Sequence, residues 1–275
     1  MKYLLTQLPH KTRNNIKTLL KYKKIRVDGK PILQYNYMLK PGQKVEISWD
    51  KEPENKKYEK INIVFEDNDI IVINKNEGVL SISTGKETTL TAYNILSSHV
   101  KNQKQSNRIF VVHRLDRDTS GLMMFAKNQE TQKILQEDWQ NNIIERSYVA
   151  VVEGIADPPQ GTITSWLYES VALIVYSSQN PEKGVKATTH YETMYNTSEF
   201  SLLKIILETG RKNQIRVHMK DLGCPVIGDK KYGAKSNPIG RLGLHAWILS
   251  FRHPKTREIM HFETPVPSKF RNMMK

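Results

Sequence analysis

The chain has 275 residues, enough for one large domain or a small one joined to a larger one, and its 38% apolar content supports a sizeable core. No apolar run approaches the roughly 18 residues of a membrane-spanning helix, the N-terminus lacks a signal-peptide core, and the single Cys224 cannot close an internal disulfide. Helical membrane proteins and disulfide-stapled secreted domains are thereby excluded, a cytosolic protein is expected, and the net charge of +14 points to a polyanionic partner.

That charge is unevenly placed. Residues 1–60 hold 15 Lys or Arg against 6 Asp or Glu, which is +9 of the +14. Within them Thr12 can cap a helix running to about Lys24, with Ile16, Leu19 and Leu20 on one side at helical spacing. Arg13, Lys17, Lys21 and Lys24 fall at i, i+4, i+8 and i+11, along a different face. A face of four cations and no acid is either a solvated helix surface or, better matched here, a phosphate contact. A strand at 25–27 then meets Asp28-Gly29, a hairpin-turn signal, and Pro41-Gly42 turns the chain into a second strand at 45–49. The spacing thus predicts a small α/β module over 1–50. Residues 51–60, almost devoid of apolar side chains and carrying a Pro, read as a linker.

From Ile61 the pattern turns strand-rich, with strands expected at 61–65, 70–74, 110–112, 122–126, 148–152, 188–195 and 200–208. Helices are expected near 130–140 and over 214–222, the latter closed by Gly223 as a C-cap. Hairpin turns outnumber helical crossovers, so residues 61–275 read as an α+β domain around a mostly antiparallel, mixed sheet with flanking helices. Phe65, Phe110 and Phe125 are expected in its core.

Two clusters carry chemistry. In the first, Val111-Val112-His113-Arg114-Leu115-Asp116-Arg117-Asp118-Thr119-Ser120-Gly121, an apolar strand stops, charges of both signs crowd a turn, and a second apolar strand begins. A short loop between two core strands can hold a carboxylate rigidly, as catalysis requires. By spacing alone Asp116 or Asp118 can equally cap a turn or pair with Arg114 or Arg117. The second cluster is Thr209-Gly210-Arg211-Lys212-Asn213-Gln214-Ile215-Arg216-Val217-His218-Met219. Here Ile215, Met219 and Leu222 define a buried helix face and leave Arg216 and Lys220 on a neighbouring one. Beside a site carboxylate, an Arg would hold that acid ionised and oriented.

Other chemistries fit less well. His113, Asp116, His190 and His218 lack the short two-ligand spacing of a metal site, so no metal is expected. An Asp116/Asp118 acid–base pair of the glycosidase kind would have to overcome strand alternation. Gly85-Lys86-Glu87-Thr88 lacks the upstream glycine and the Ser/Thr after Lys of a phosphate loop.

His-Arg-Leu-Asp-x-x-Thr-Ser-Gly at 113–121 resembles the signature of the RluA family of pseudouridine synthases. The resemblance continues in order through Ile71-Val72-Ile73-Asn74-Lys75-x-x-Gly78, Tyr148 with Gly154, Lys186-Ala187-x-Thr189-x-Tyr191 and the 209–218 cluster. It ends with Pro225-x-Ile227-Gly228-Asp229-x-x-Tyr232-Gly233, Leu244-His245-Ala246 and His253-Pro254. Residues 1–50 resemble the S-four-type RNA-binding module that precedes the catalytic domain in many members.

The resemblance implies isomerisation of uridine to pseudouridine in structured RNA, with large-subunit ribosomal RNA ahead of tRNA, and with no metal or organic cofactor. It implies a catalytic role for Asp116, a stacking and proton-moving one for Tyr148, and an aspartate-pairing one for Arg216. Arg114 would fill the gap left by the extracted base, and Leu244 would pack beside the pocket. Asn76 stands where the family usually has Pro, and Lys212-Asn213 where it has Thr or Ser and His, departures that bear on substrate fit. A monomer is expected. The rival reading, a catalytically silent RNA-binding or ribosome-assembly factor, has no physical need for the set Asp116, Tyr148 and Arg216.

Overall fold

The structure is a computed structural model describing residues 2–9, 11–21, 24–47, 60–83 and 91–274. The predicted linker, save Lys60, the end of the strand expected at 45–49, and the Gly85–Thr88 tetrad lie outside the described residues. The chain divides into two compact units, Met1–Asn55 and Lys56–Lys275.

The first unit holds helices α1 (Lys2–Gln7) and α2 (Arg13–Lys21) and strands β1 (Ile25–Val27), β2 (Lys30–Pro31) and β3 (Val45–Ile47). A capping box starts α2: the Thr12 hydroxyl accepts the Asn15 N–H at 3.3 Å, and the Asn15 side chain accepts the Thr12 N–H at 3.0 Å. Asp28 and Gly29, both at positive φ (49° and 76°), make the two-residue turn joining β1 to β2. Antiparallel strands in the order β2-β1-β3 pack with the helices around Leu4, Ile16, Leu20 and Ile25. The helix ends at Lys21, short of the expected Lys24, which leads instead into β1.

The second unit is built on one sheet of eleven strands. In chain order these are β4 (Ile61–Glu66), β5 (Ile70–Lys75), β6 (Phe110–Val111), β7 (Ser120–Ala126), β8 (Ile143–Glu153) and β9 (Gln160–Glu169). They continue with β10 (Val175–Ser178), β11 (Val185–Asn196), β12 (Phe200–Leu207), β13 (Leu244–Arg252) and β14 (Ile259–Glu263). The order is β10-β9-β11-β12-β8-β13-β7-β5-β4, with β14 beside β13 and β6 beside β7. Among these strand pairs β13·β7 alone is parallel, so the expected mostly antiparallel, mixed sheet is what forms.

Alternation along the central strands sends side chains into two cores. Ile71, Ile73, Met123 and Phe125 pack with helix α3 (Ala92–Gln103), while Ile70, Val72, Leu122 and Met124 pack with α4 (Gln129–Glu137). Helix α3 is not among the expected elements: its Ser, Asn and His content masks Ile95, Leu96 and Val100, and Thr91 caps it by accepting the Asn94 N–H at 3.0 Å. The helix expected near 130–140 breaks at Asp138, and α5 (Trp139–Asn142) follows. Strands β9, β10, β13 and β14 are likewise additions to the expected set. Helix α6 (Gln214–Asp221) matches expectation and buries Ile215 and Met219, while α7 (Ser268–Asn272) packs Phe270 under β8. Of the three phenylalanines, Phe125 is fully buried, and Phe65 and Phe110 pack partly exposed against the core. Among the described residues no helix is long and apolar enough to cross a membrane.

Candidate active site

The loop between β6 and β7 is held from several directions. The Ser81 hydroxyl donates to the Leu115 carbonyl at 2.6 Å and accepts the Leu115 N–H at 3.0 Å. Lys75, fully buried at the end of β5, donates to the carbonyls of Val79 (2.8 Å), Asn76 (3.1 Å) and Arg117 (3.1 Å). A turn closes with the Thr119 N–H donating to the Asp116 carbonyl at 3.3 Å. Below the loop Ser120 meets His245 Nδ1 at 2.7 Å, and His245 Nε2 meets Thr264 at 2.7 Å. Gly121 is obligatory here. Its φ is +113°, and a Cβ would lie 2.1 Å from the Ala246 carbonyl oxygen, so only glycine lets β7 and β13 approach this closely.

This scaffold projects Asp116 into a cleft of about 430 Å³, within the range of small-molecule pockets (roughly 300–1,000 Å³), whose lining includes Arg114, Asp116, Tyr148, Arg216 and Leu244. The five residues to which the resemblance gives a catalytic or pocket role therefore share one cavity, although they come from four separate segments of the chain. Tyr148 comes from β8 and Leu244 from β13, neighbouring strands in which Tyr148 pairs with Ala246. Arg216 comes from α6. The Tyr148 phenol is almost wholly buried, and burial pushes its pKa up; Arg146 opposes this and Asp116 reinforces it.

Arg216 is shared between two carboxylates. Its Nη1 donates to Asp116 Oδ2 at 3.5 Å, while Nε and Nη2 donate to Asp229 Oδ2 and Oδ1 at 2.6 and 2.8 Å. The guanidinium also lies 4.8 Å from the Tyr232 ring centroid, and Nη1 donates to the Asn213 side-chain oxygen at 3.2 Å. Burial disfavours its charge, but the Asp229 and Asp116 carboxylates more than offset this and hold its pKa above the usual arginine value. Asp229 is a member of the motif at 225–233, yet its grip on Arg216 cannot be read from the sequence, because the two positions share no local spacing. Asn213, at positive φ (55°), donates to the Tyr232 hydroxyl at 2.8 Å, which gives this departure from the usual motif a structural task. Lys212 is ion-paired with Glu169 at the rim of the cleft.

The remaining candidates separate. His113 accepts the Met124 N–H at 3.0 Å, and burial, helped by Arg146, pulls its pKa down to about 3, so it is a neutral structural acceptor. His218 bridges Thr189 (2.8 Å) and Ser165 (3.0 Å) beneath α6. Among the described residues one group has the chemistry of a metal site, Asp67, Asp69 and His253. Its histidine accepts the Thr256 N–H on Nδ1 (3.1 Å), which leaves Nε2–H to donate to Asp67 (2.9 Å) and no lone pair for an ion. In the first unit Arg13 and Lys17 are exposed on α2, Lys24 lies past its end, and the Lys21 side chain is outside the described residues.

Known proteins resemble this chain over most of its length. Residues 69–221 match the family described as RNA pseudouridylate synthase, and residues 1–45 match the S4 domain. An uncharacterized RNA pseudouridine synthase of Bacillus subtilis, YlyB, is 34% identical, with 93% of this chain and 86% of that protein covered. Ribosomal large subunit pseudouridine synthase D of Haemophilus influenzae is 33% identical over 95% of this chain and 86% of its own. Human RNA pseudouridylate synthase domain containing 4, at 22% identity, shares the fold with a TM-score of 0.62 over 76% of this chain and 90% of that one. The chain belongs to the RNA pseudouridine synthase family and carries an S4 domain at its N-terminus.

Proposed function

We propose that this isomerase converts a uridine of structured large-subunit ribosomal RNA to pseudouridine in the cytoplasm, with Asp116 as the nucleophile. The observation that carries the reading is the convergence of Asp116, Tyr148, Arg216, Arg114 and Leu244 on one cleft from four separate segments. Similarity to large-subunit synthases favours ribosomal RNA over tRNA.

The reaction breaks the N1–C1′ bond, turns the uracil, joins C5 to C1′, and moves a proton from C5, leaving N1 protonated. Product and substrate contain the same atoms, so no redox partner and no group donor enters. A single carboxylate can act at C1′, at C6 of the ring, or by deprotonating the sugar. Asp116 is side-chain accessible at 27%, enough to meet a substrate atom, while the Arg216 guanidinium contacts it from one side at 3.5 Å. The detached base needs stacking and apolar walls, which Tyr148 and Leu244 supply. Arg114 is exposed at the cleft, and in this reading it fills the space left when the nucleotide is flipped out, a step costing a few kcal/mol.

In this reading residues 1–50 anchor RNA through Arg13, Lys17, Lys21 and Lys24, and residues 61–275 act as a monomeric catalytic domain. The test is tritium release from ribosomal RNA and tRNA transcripts carrying 5-tritiated uridine, with wild type and Asp116→Asn in parallel. Release from ribosomal RNA by wild type alone supports the proposal. Release from tRNA alone changes the substrate. No release from free RNA or a pre-assembled ribosomal particle, with binding retained, leaves the silent assembly factor.

A further inference from the structure

The segment between β2 and β3 in the S4 domain is more apolar and more exposed than a connecting loop needs to be. It runs Ile32-Leu33-Gln34-Tyr35-Asn36-Tyr37-Met38-Leu39-Lys40 before the Pro41-Gly42 turn. Both ends are fixed. The Ile32 N–H donates to the Ile25 carbonyl at 2.9 Å, and at the other end Asp28 accepts the Lys44 N–H and the Gln43 side-chain amide, each at 2.9 Å. One side of the loop borders a small apolar recess with Leu4 and Leu20, lined by Ile32 and by the half-exposed Tyr37 and Leu39. The other side turns out. Leu33 is 56% exposed, Tyr35 60% and Met38 86%, a concentration of apolar surface unusual within six residues of a small domain.

The loop carries more cations than acids, and the nearest acids, Asp28 and Glu46, are engaged at its base. From Gly29 to Val45 the sequence holds Lys30, Lys40 and Lys44 and no acid. Lys44 pairs with Glu46 at 2.6 Å, which leaves the run basic on balance. An aromatic ring and exposed apolar side chains, held on a clamped loop that carries Lys40, suit an unpaired nucleotide: the base stacks on the ring and a phosphate meets the lysine. A duplex hides its base faces in its own stack and does not offer them. A clamped loop also loses little further freedom on binding.

We propose that Tyr35, with Leu33 and Met38, forms a stacking platform for unpaired bases of the RNA substrate, separate from the cationic face of α2. The inference rests on RNA as the partner of the S4 domain and not on the identity of the nucleophile. Phosphate contacts and stacking differ in salt dependence, because stacking releases no counterions. The full-length protein is titrated with a short labelled oligouridylate and with an RNA duplex over a range of salt concentrations. Tyr35→Ala is expected to weaken oligouridylate binding about tenfold, or about 1.4 kcal/mol, with an unchanged salt slope and little effect on the duplex. Tyr35→Phe, which keeps the ring, is expected to bind as wild type does. Lys17→Ala is expected to flatten the slope by roughly 0.7. Met38→Ala, at the most exposed position, gives a second reading if Tyr35→Ala melts early, with a loss of about threefold expected from the smaller contact. Wild-type affinity in both Tyr35→Ala and Met38→Ala, equal losses on duplex and single strand, or a Tyr35→Phe variant as weak as Tyr35→Ala would overturn the platform. Wild type binding neither RNA would instead overturn RNA as the partner.

Discussion

Arg216 holds Asp229 through two hydrogen bonds, at 2.6 and 2.8 Å, and reaches Asp116 through one at 3.5 Å. The two-pronged contact therefore goes to the buried carboxylate, and the single long contact leaves Asp116 most of its lone pairs, as the proposed nucleophile needs. Asp229, with its side chain 1% exposed, is the anchor that aims the guanidinium. Removing one partner of a buried pair leaves the other charge uncompensated, so Asp229→Ala should cost about 3 kcal/mol of stability. Because Arg216 then loses its direction, kcat should fall at least tenfold, as for a catalytic group displaced by an ångström, while KM changes little. Urea unfolding and steady-state kinetics on one preparation check both. Unchanged stability would mean that the Asp229 contact does not fix Arg216.

Asp116 is held by its backbone, and among the described residues its side chain bonds only to Arg216, through the long contact. Asp116→Asn should therefore leave the fold and RNA affinity within about twofold and reduce turnover by at least about a thousandfold, as expected when a nucleophile is removed. Filter binding and tritium release on the same RNA separate these effects. A loss of affinity as large as the loss of activity would make Asp116 a structural residue.

Lys75 ties the Asp116 loop to the end of β5, and burial pulls its pKa down to about 7, against the raising pull of the Asp118 and Asp116 carboxylates. The unfolded chain holds the Lys75 proton up to about pH 10.4, whereas the folded chain releases it above about 7. Between those limits the unfolded state binds more protons, so stability rises with pH, and below about 7 the burial penalty is present in full. Relative to Lys75→Met, which has no such titration, wild type should gain on the order of 1–3 kcal/mol between pH 7 and pH 9. Urea unfolding of both proteins at the two pH values measures this. A pH-independent difference would show that the Lys75 ammonium keeps its charge through its three carbonyl partners.

The site is legible in the sequence where a motif is local and illegible where partners meet across the sheet. His113 to Gly121 announces a loop between two core strands, and the strands are there. Tyr148 and Leu244 can be assigned to the site only by family resemblance, because pairing of β8 with β13 is a long-range fact that neither segment encodes alone. The same holds for Ser81 on Leu115 and Asp229 on Arg216, contacts between segments 34 and 13 residues apart. Helix α3 is hidden because Thr91-Ala92-Tyr93-Asn94 looks like a loop until its capping bond forms, and β13 because Leu244 to Arg252 is buried on both faces and does not alternate. Arg13 and Lys17 lie on the exposed face that their spacing predicts, while the stripe is shorter than predicted, since α2 stops at Lys21.

The charge asymmetry makes a last claim that can be measured. Residues 1–60 carry +9 of the +14, so in the proposed arrangement most phosphate neutralisation comes from the S4 domain and most chemistry from the sheet. Each phosphate that is no longer neutralised lowers the slope of log affinity against log salt by about 0.7–0.9. Deleting residues 1–50 should therefore weaken RNA binding most at low salt and flatten the dependence, and the difference from wild type should shrink as salt rises. Turnover at saturating RNA should change far less, because Asp116, Tyr148 and Arg216 remain on their own scaffold. Affinity measured from low to moderate salt for both proteins decides the matter: a truncated protein with the full wild-type slope would place the RNA anchor on the catalytic domain, around cations such as Arg211 and Lys212 at the cleft.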